Sequence, residues 1–196
     1  MLINNPITIF IKKKKKKRIV NSILLLALLL CTIQFSFADT VRIGSSAPLF
    51  NLKSGTGDQL TLKDVTGKVL IIFYETKDRK EKNRRAKDKL NLFYYQQEKW
   101  VRELVIRLPV INCSSAIWPL TGIWRSKLKE NSKNEKMTIY GDWDGRMGAD
   151  YNMKSKDCNV MLVDKKGIIR YFQTGALNNE DITEIKEILK KLVIEK

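Results

Sequence analysis

The sequence predicts one α/β domain over residues 39–196: a central mixed β-sheet flanked by helices, with an N-terminal extension and a C-terminal hairpin followed by a helix. Three observations predict it. The apolar segments alternate between strand-like and helix-like periodicity along the chain. One of them, Val69-Leu70-Ile71-Ile72-Phe73-Tyr74, is continuously apolar, as a strand buried on both faces must be. Near the C-terminus, Asp164-Lys165-Lys166-Gly167 separates two apolar runs by a tight-turn sequence. Such a turn joins antiparallel strands and argues against the alternative of an all-parallel, doubly wound sheet.

Residues 1–38 differ from the rest. Residues 12–18 are six Lys and one Arg, residues 23–30 are apolar, and no acidic residue precedes Asp39. Ser36-Phe37-Ala38 then offers small side chains where a signal peptidase cuts. This order reads as a secretory signal cleaved after Ala38, which places the mature protein in the periplasm. An uncleaved anchor over residues 19–38 is the rival reading, weakened by Asn21, Ser22, Thr32, Gln34 and Ser36. Lipid attachment at Cys31 is disfavoured because Leu30, not a small residue, precedes it. After cleavage no stable membrane span is expected.

The remaining elements follow in order. Thr66-Gly67 leads into the central strand, and Ala86, Leu90, Phe93 and Val101 mark the apolar stripe of a helix over residues 81–100. Residues 108–113 read as a second strand, with Pro109 near its start, where a missing N–H is tolerated. Residues 119–129 read as a shorter helix and 137–140 as a weak strand, followed by turn residues Gly141-Asp142-Trp143-Asp144-Gly145. Residues 160–163 and 168–172 form the hairpin. Asn178 with Asp181 caps a last helix, whose stripe is Ile182, Ile185, Ile188, Leu189 and Leu192.

Removing the signal leaves 158 residues, enough for one core. Thirty Lys and Arg and 21 Asp and Glu remain, a formal charge of +9 that favours anionic neighbours such as phospholipid surfaces or acidic polymers. Nucleic acid is not expected as the partner of an exported protein. No histidine occurs, which excludes Ser-His-Asp and Cys-His catalysis and the common zinc sites. No cofactor and no metal are expected; Asp142 and Asp144 with Gly145 lack the further ligands of a calcium loop and read as a turn.

Two cysteines remain, Cys113 and Cys158, and they are the candidate catalytic residues. Residues 77–89 carry eight Lys or Arg against three acids at a helix start, so Arg79, Lys80 and Lys82 are candidates for holding an anion, against the plainer reading of a solvated basic face. Trp100, Trp118, Trp124 and Trp143 read as core and interface packing rather than as a stacking platform for bases or sugars.

Several motifs point to a family. Ile43-Gly44-Ser45-Ser46-Ala47-Pro48-Leu49-Phe50, the stretch 62–69 ending Gly67-Lys68-Val69, and Val163-Asp164 to Gly167 resemble the redoxin group. With Asn112-Cys113-Ser114-Ser115-Ala116-Ile117, Lys80-Glu81-Lys82-Asn83 and Thr174-Gly175-Ala176-Leu177, the chain resembles the YtfJ family over most of residues 41–192. That resemblance implies a thioredoxin-like fold, export in Gram-negative bacteria and no established activity. It puts Asp78 and Glu81 at the two positions of the redox Cys-x-x-Cys motif and Cys158 at the cis-proline position. Without a thiolate at the first of these, dithiol exchange is excluded. In thioredoxin strand order the central strand separates Cys113 from Cys158 by two steps, about 10 Å, beyond the reach of a disulfide. The expected function is a redox-inert binding domain whose partner is an envelope protein or an anionic ligand. The alternative is a one-cysteine thiol oxidoreductase or peroxidase using Cys113 or Cys158.

Overall fold

The computed structural model describes residues 41–79 and 81–195; the expected signal segment, its cleavage point and Lys80 lie outside them. The continuous apolar run forms β3 (Val69–Glu75), in which all seven residues are buried. It is flanked on one side by β4 (Val105–Asn112), parallel to it, and on the other by β6 (Asn159–Val163), antiparallel. With β1 (Asn51–Ser54), β2 (Gln59–Thr61), β5 (Tyr140–Asp142) and β7 (Ile169–Thr174), these strands form one mixed sheet in the order β2-β1-β5-β4-β3-β6-β7. The predicted mixed sheet with flanking helices is therefore the observed one.

Strand alternation splits the core into two layers. Leu70, Ile72 and Tyr74 face Phe50, Leu52, Leu108, Met147 and Tyr151 on one side. Val69, Ile71 and Phe73 face the other side, covered by Ala86 and Leu90 of α1 (Arg84–Tyr95) and by Ile182, Ile185, Leu189 and Leu192 of α5 (Asn179–Ile194). Each fully buried aliphatic side chain contributes about 1.5–3 kcal/mol. All of these core residues lie between Val41 and Val193, within the single contact unit Asp39–Lys196.

The C-terminal punctuation acts as predicted. Asp164 Oδ1 accepts the N–H groups of Lys166 (2.9 Å) and Ile168 (2.8 Å), and Gly167 takes φ +79° to release β7. Asn178 and Asp181 form a reciprocal capping box at the start of α5.

Elsewhere the elements differ from expectation. The helix expected over 81–100 is two: α1 ends at Tyr95 and α2 spans Lys99–Leu104. The break is stable because Arg102 Nη1 donates to Tyr95 O (3.2 Å) and Gln97 O (3.0 Å), satisfying carbonyls that a continuous helix would have used. β4 starts at Val105 rather than 108, so Pro109 sits inside it. β5 joins β4 only from Val110 onward, which leaves Pro109 a ladder on one side alone. The second helix, α3 (Thr121–Asn134), is longer than expected, and β5 begins at Tyr140 rather than 137. The hairpin β1–β2 and the five-residue α4 (Arg146–Asp150) are too short to show a periodicity.

Candidate functional site

Because β3 and β4 run parallel and β6 runs against them, the C-terminal ends of β3 and β4 and the start of β6 meet at one edge of the sheet. Glu75 pairs in register with Ile111, and Tyr74 with Asn159. The segments entering that edge are the 3-10 turn Lys77–Arg79, the loop after Asn112 and the loop before Asn159. Asn83, buried at the start of α1, ties in a fourth: its Nδ2 donates to Gly175 O (3.0 Å) and its Oδ1 accepts from Leu177 N (2.8 Å). Gly175 N in turn donates to Cys158 O at 2.8 Å. The motif at 80–83 and the motif at 174–177 are thus partners in space.

Consecutive residues at the end of β3 build two clusters on opposite faces. Glu75, 2% exposed, receives Lys87 Nζ of α1 on its Oε2 at 2.6 Å. Its Oε1 has no hydrogen-bond partner. Burial raises the Glu75 carboxyl, against the opposing pull of Lys87. Cys158 lies beside it, buried, and its thiol donates to Arg79 O at 3.0 Å. The Glu75 carboxylate is the competing acceptor for that proton, but the geometry favours the Arg79 carbonyl. Burial first, and the charge of Glu75 second, push the Cys158 thiol up to about 12.

On the other face Tyr74 Oη donates to Asp142 Oδ2 at 2.9 Å, and Gly148 N donates to the same oxygen at 2.9 Å. A side chain at position 148 would run into the Tyr74 hydroxyl, so only glycine allows this approach. Burial, then the Asp142 charge, push the buried Cys113 thiol up to about 12 as well. Both cysteines are free. Cys113 neighbours Tyr74 and Asp142, whereas Cys158 neighbours Glu75 and Lys87.

Over β4, α1 and the end of α3 leave a groove of about 150 Å³. Phe73, Pro109, Ile111 and Met137 give it an apolar lining, and Glu75, Glu81 and Lys87 also line it. Arg84 of α1 reaches Glu135 across it at 3.2 Å.

A family model described as a bacterial protein of unknown function, YtfJ_HI0045, matches residues 56–192. The chain belongs to this family. No curated protein sequence matches it. Among solved structures it is similar to a protein described as a thiol:disulfide interchange protein DsbE from Chlorobium tepidum (15% identity, 78% of this chain and 99% of that one, TM-score 0.59). It is also similar to a thiol peroxidase from Chromobacterium violaceum (13%, 78% and 88%, 0.57). A third is an exposed lipoprotein thioredoxin from Streptococcus pneumoniae (14%, 72% and 99%, 0.52). At such identities the likeness establishes the thioredoxin-like fold alone.

Within that fold the sequence-derived residues take these places. Asp78 and Arg79 lie in the exposed 3-10 turn directly after β3, and Glu81 follows, exposed but close enough for its charge to raise Glu75. Cys158 begins the approach to β6, while the cis peptide found among the described residues is Trp118–Pro119. Of the anion cradle expected at Arg79, Lys80 and Lys82, Lys82 is engaged by the chain itself, ion-pairing with Asp157, whose carboxyl is lowered first by Lys82 and to a smaller degree by Arg79. Asp142 and Asp144 are likewise committed, the latter accepting Arg146 N at 3.1 Å. Of the four tryptophans expected to pack in the core or at an interface, Trp124 and Trp143 are half-buried, while Trp100 and Trp118 are exposed, Trp118 at 88%. Sequence reasoning missed Glu75 and Lys87. A carboxylate ending a wholly apolar central strand was the available signal.

Proposed function

We propose that this chain is an exported, redox-inert thioredoxin-like domain of the cell envelope that binds an anionic partner at the sheet edge where thiol-active proteins of this fold carry their sulfur pair. One observation carries the redox-inert part of the reading. Cys158, the sulfur nearest that edge's first turn, is buried beneath the Arg79 carbonyl and beside the Glu75 carboxyl, a setting that pushes its thiol up to about 12. A catalytic thiol needs the reverse, a cationic and open setting that stabilises the thiolate. The thiolate chemistry of a peroxidase is disfavoured at Cys113 for the same reason, since its neighbour is Asp142.

Export is supported by the order of basic, apolar and small residues in 1–38. An exposed lipoprotein is among the similar structures. No helix among the described residues is long and apolar enough to cross a membrane.

Thiol alkylation of the protein at pH 7, with and without denaturant, tests the reading. Slow labelling of Cys113 and Cys158 that accelerates only on unfolding is expected, together with no reduction of insulin. Rapid native labelling of either cysteine, coupled to a peroxide or disulfide turnover lost on its replacement by Ser, sinks the proposal.

A further inference from the structure

Ten large apolar side chains are exposed among the described residues, and four of them, Ile117 (69%), Trp118 (88%), Leu120 (47%) and Ile123 (60%), fall within seven positions. They occupy the loop after β4 and the first turn of α3, at the same sheet edge as the buried thiols. Such a concentration of exposed apolar surface marks an interaction site, whereas single exposed residues do not.

The surroundings specify its chemistry. No Asp or Glu occurs between Glu103 and Glu130, while α3 carries Arg125, Lys127 and Lys129 just beyond the apolar tip. Cations also stand beside the neighbouring indoles: Lys77 Nζ lies 5.8 Å from the Trp124 ring and Arg125 Cζ 5.6 Å from the Trp143 ring. Lys127 is partly committed to Glu130 at 2.9 Å, but Lys77, Arg125 and Lys129 are exposed. The acids on the loops at this edge are Asp78, Glu81, Asp144 and Asp157; Asp144 pairs with Arg146 at 3.6 Å and Asp157 with Lys82. None of the four apolar residues lines the groove over β4. They project outward as a tip, with an indole at its most exposed point.

We infer that this tip, Ile117, Trp118, Leu120 and Ile123, seats in the headgroup layer of an anionic phospholipid bilayer, with Lys77, Arg125 and Lys129 meeting the lipid phosphates. An amphipathic indole prefers that depth, aliphatic side chains enter just below it, and cations nearby are drawn to an anionic surface. A protein surface that received the tip would need a matching pocket; a bilayer receives a convex apolar tip without one. The inference rests on the reading of this edge as a binding surface, and names its partner.

Amide hydrogen exchange of the full chain is the test, because it reports on 114–124 whatever the apolar stretch at 23–30 does. Vesicles of phosphatidylcholine, alone or with about a third phosphatidylglycerol, are compared. On the anionic vesicles the amides of 114–124 are expected to exchange roughly tenfold more slowly, and the Trp118→Ser/Ile117→Ser variant to lose that protection. At these exposed positions the variant keeps its fold, which protection of β3 verifies. Unchanged exchange of 114–124 on anionic vesicles overturns the inference. So does equal protection by neutral vesicles, by soluble polyglutamate, which would mark an acidic protein as the partner, or by raised protein concentration without lipid, which would mark a second copy of the chain. Each of those failures leaves the thiol-labelling result, and with it the redox-inert reading, untouched. Rapid thiol labelling with the lipid protection intact would fell only that reading.

Discussion

Lys87 Nζ stands 2.6 Å from Glu75 Oε2, and the carboxylate it neutralises is almost wholly buried at the end of the central strand. The two residues are twelve positions apart in sequence, so the ion pair forms only when α1 folds back over β3. It joins the helix to the sheet at the C-terminal end of the central strand.

Lys87→Met removes the cation that opposes burial at Glu75, so the carboxyl must either stay buried as a bare charge or take up a proton to fold. The expected loss is about 2–4 kcal/mol, short of the 3–5 of a fully enclosed pair because Lys87 keeps some contact with water. Replacing both residues by Leu is expected to recover most of it. Urea unfolding of the three proteins decides this, and a single variant as stable as the wild type would show that the pair contributes nothing.

Asp142 predicts a pH effect. Burial raises its carboxyl above 3.8 by more than the Gly148 N–H and the Tyr74 hydroxyl lower it. A raised folded pKa means that charging Asp142 costs stability as pH climbs past its unfolded value, and the full cost is present above the folded one. Asp142→Asn keeps an oxygen to accept both hydrogen bonds and removes the charge. It is expected to match or exceed wild-type stability at pH 7, with the advantage fading toward about pH 4. A less stable variant at pH 7 contradicts this.

Asp164 predicts the opposite sign. Burial works against its ionisation, but the N–H groups of Ile168 and Lys166 and the Arg170 guanidinium, 2.7 Å away, outweigh burial and lower its carboxyl below 3.8. Its contribution is therefore complete above that value and drains away as pH falls through the folded pKa. Asp164→Asn is expected to cost about 1–3 kcal/mol at pH 7 and progressively less below about pH 4. Thermal unfolding across that range measures it.

What the sequence made legible was local. The Asp164–Gly167 turn, the Asn178–Asp181 cap and the apolar run of β3 are each written in neighbouring residues, and each formed as read. The break between α1 and α2 was hidden because its cause, Arg102 reaching back to Tyr95 and Gln97, is a contact across a turn that the apolar stripe ignores. Glu75 and Lys87 were hidden because their pairing depends on where a helix lands. Trp118, read only as core or interface packing, was not resolved between the two for a related reason: hydrophobicity alone does not distinguish a side chain directed to the core from one directed to a partner.

The adjacent residues Tyr74 and Glu75 each hold one sulfur's neighbourhood, and they point to opposite sides of the strand between those sulfurs. Cys113 and Cys158 therefore cannot be cross-linked to each other while the sheet is intact. A covalent dimer formed through either of these two buried sulfurs counts molecules that have opened, so a non-reducing gel that follows that linkage becomes a meter of unfolding for the domain.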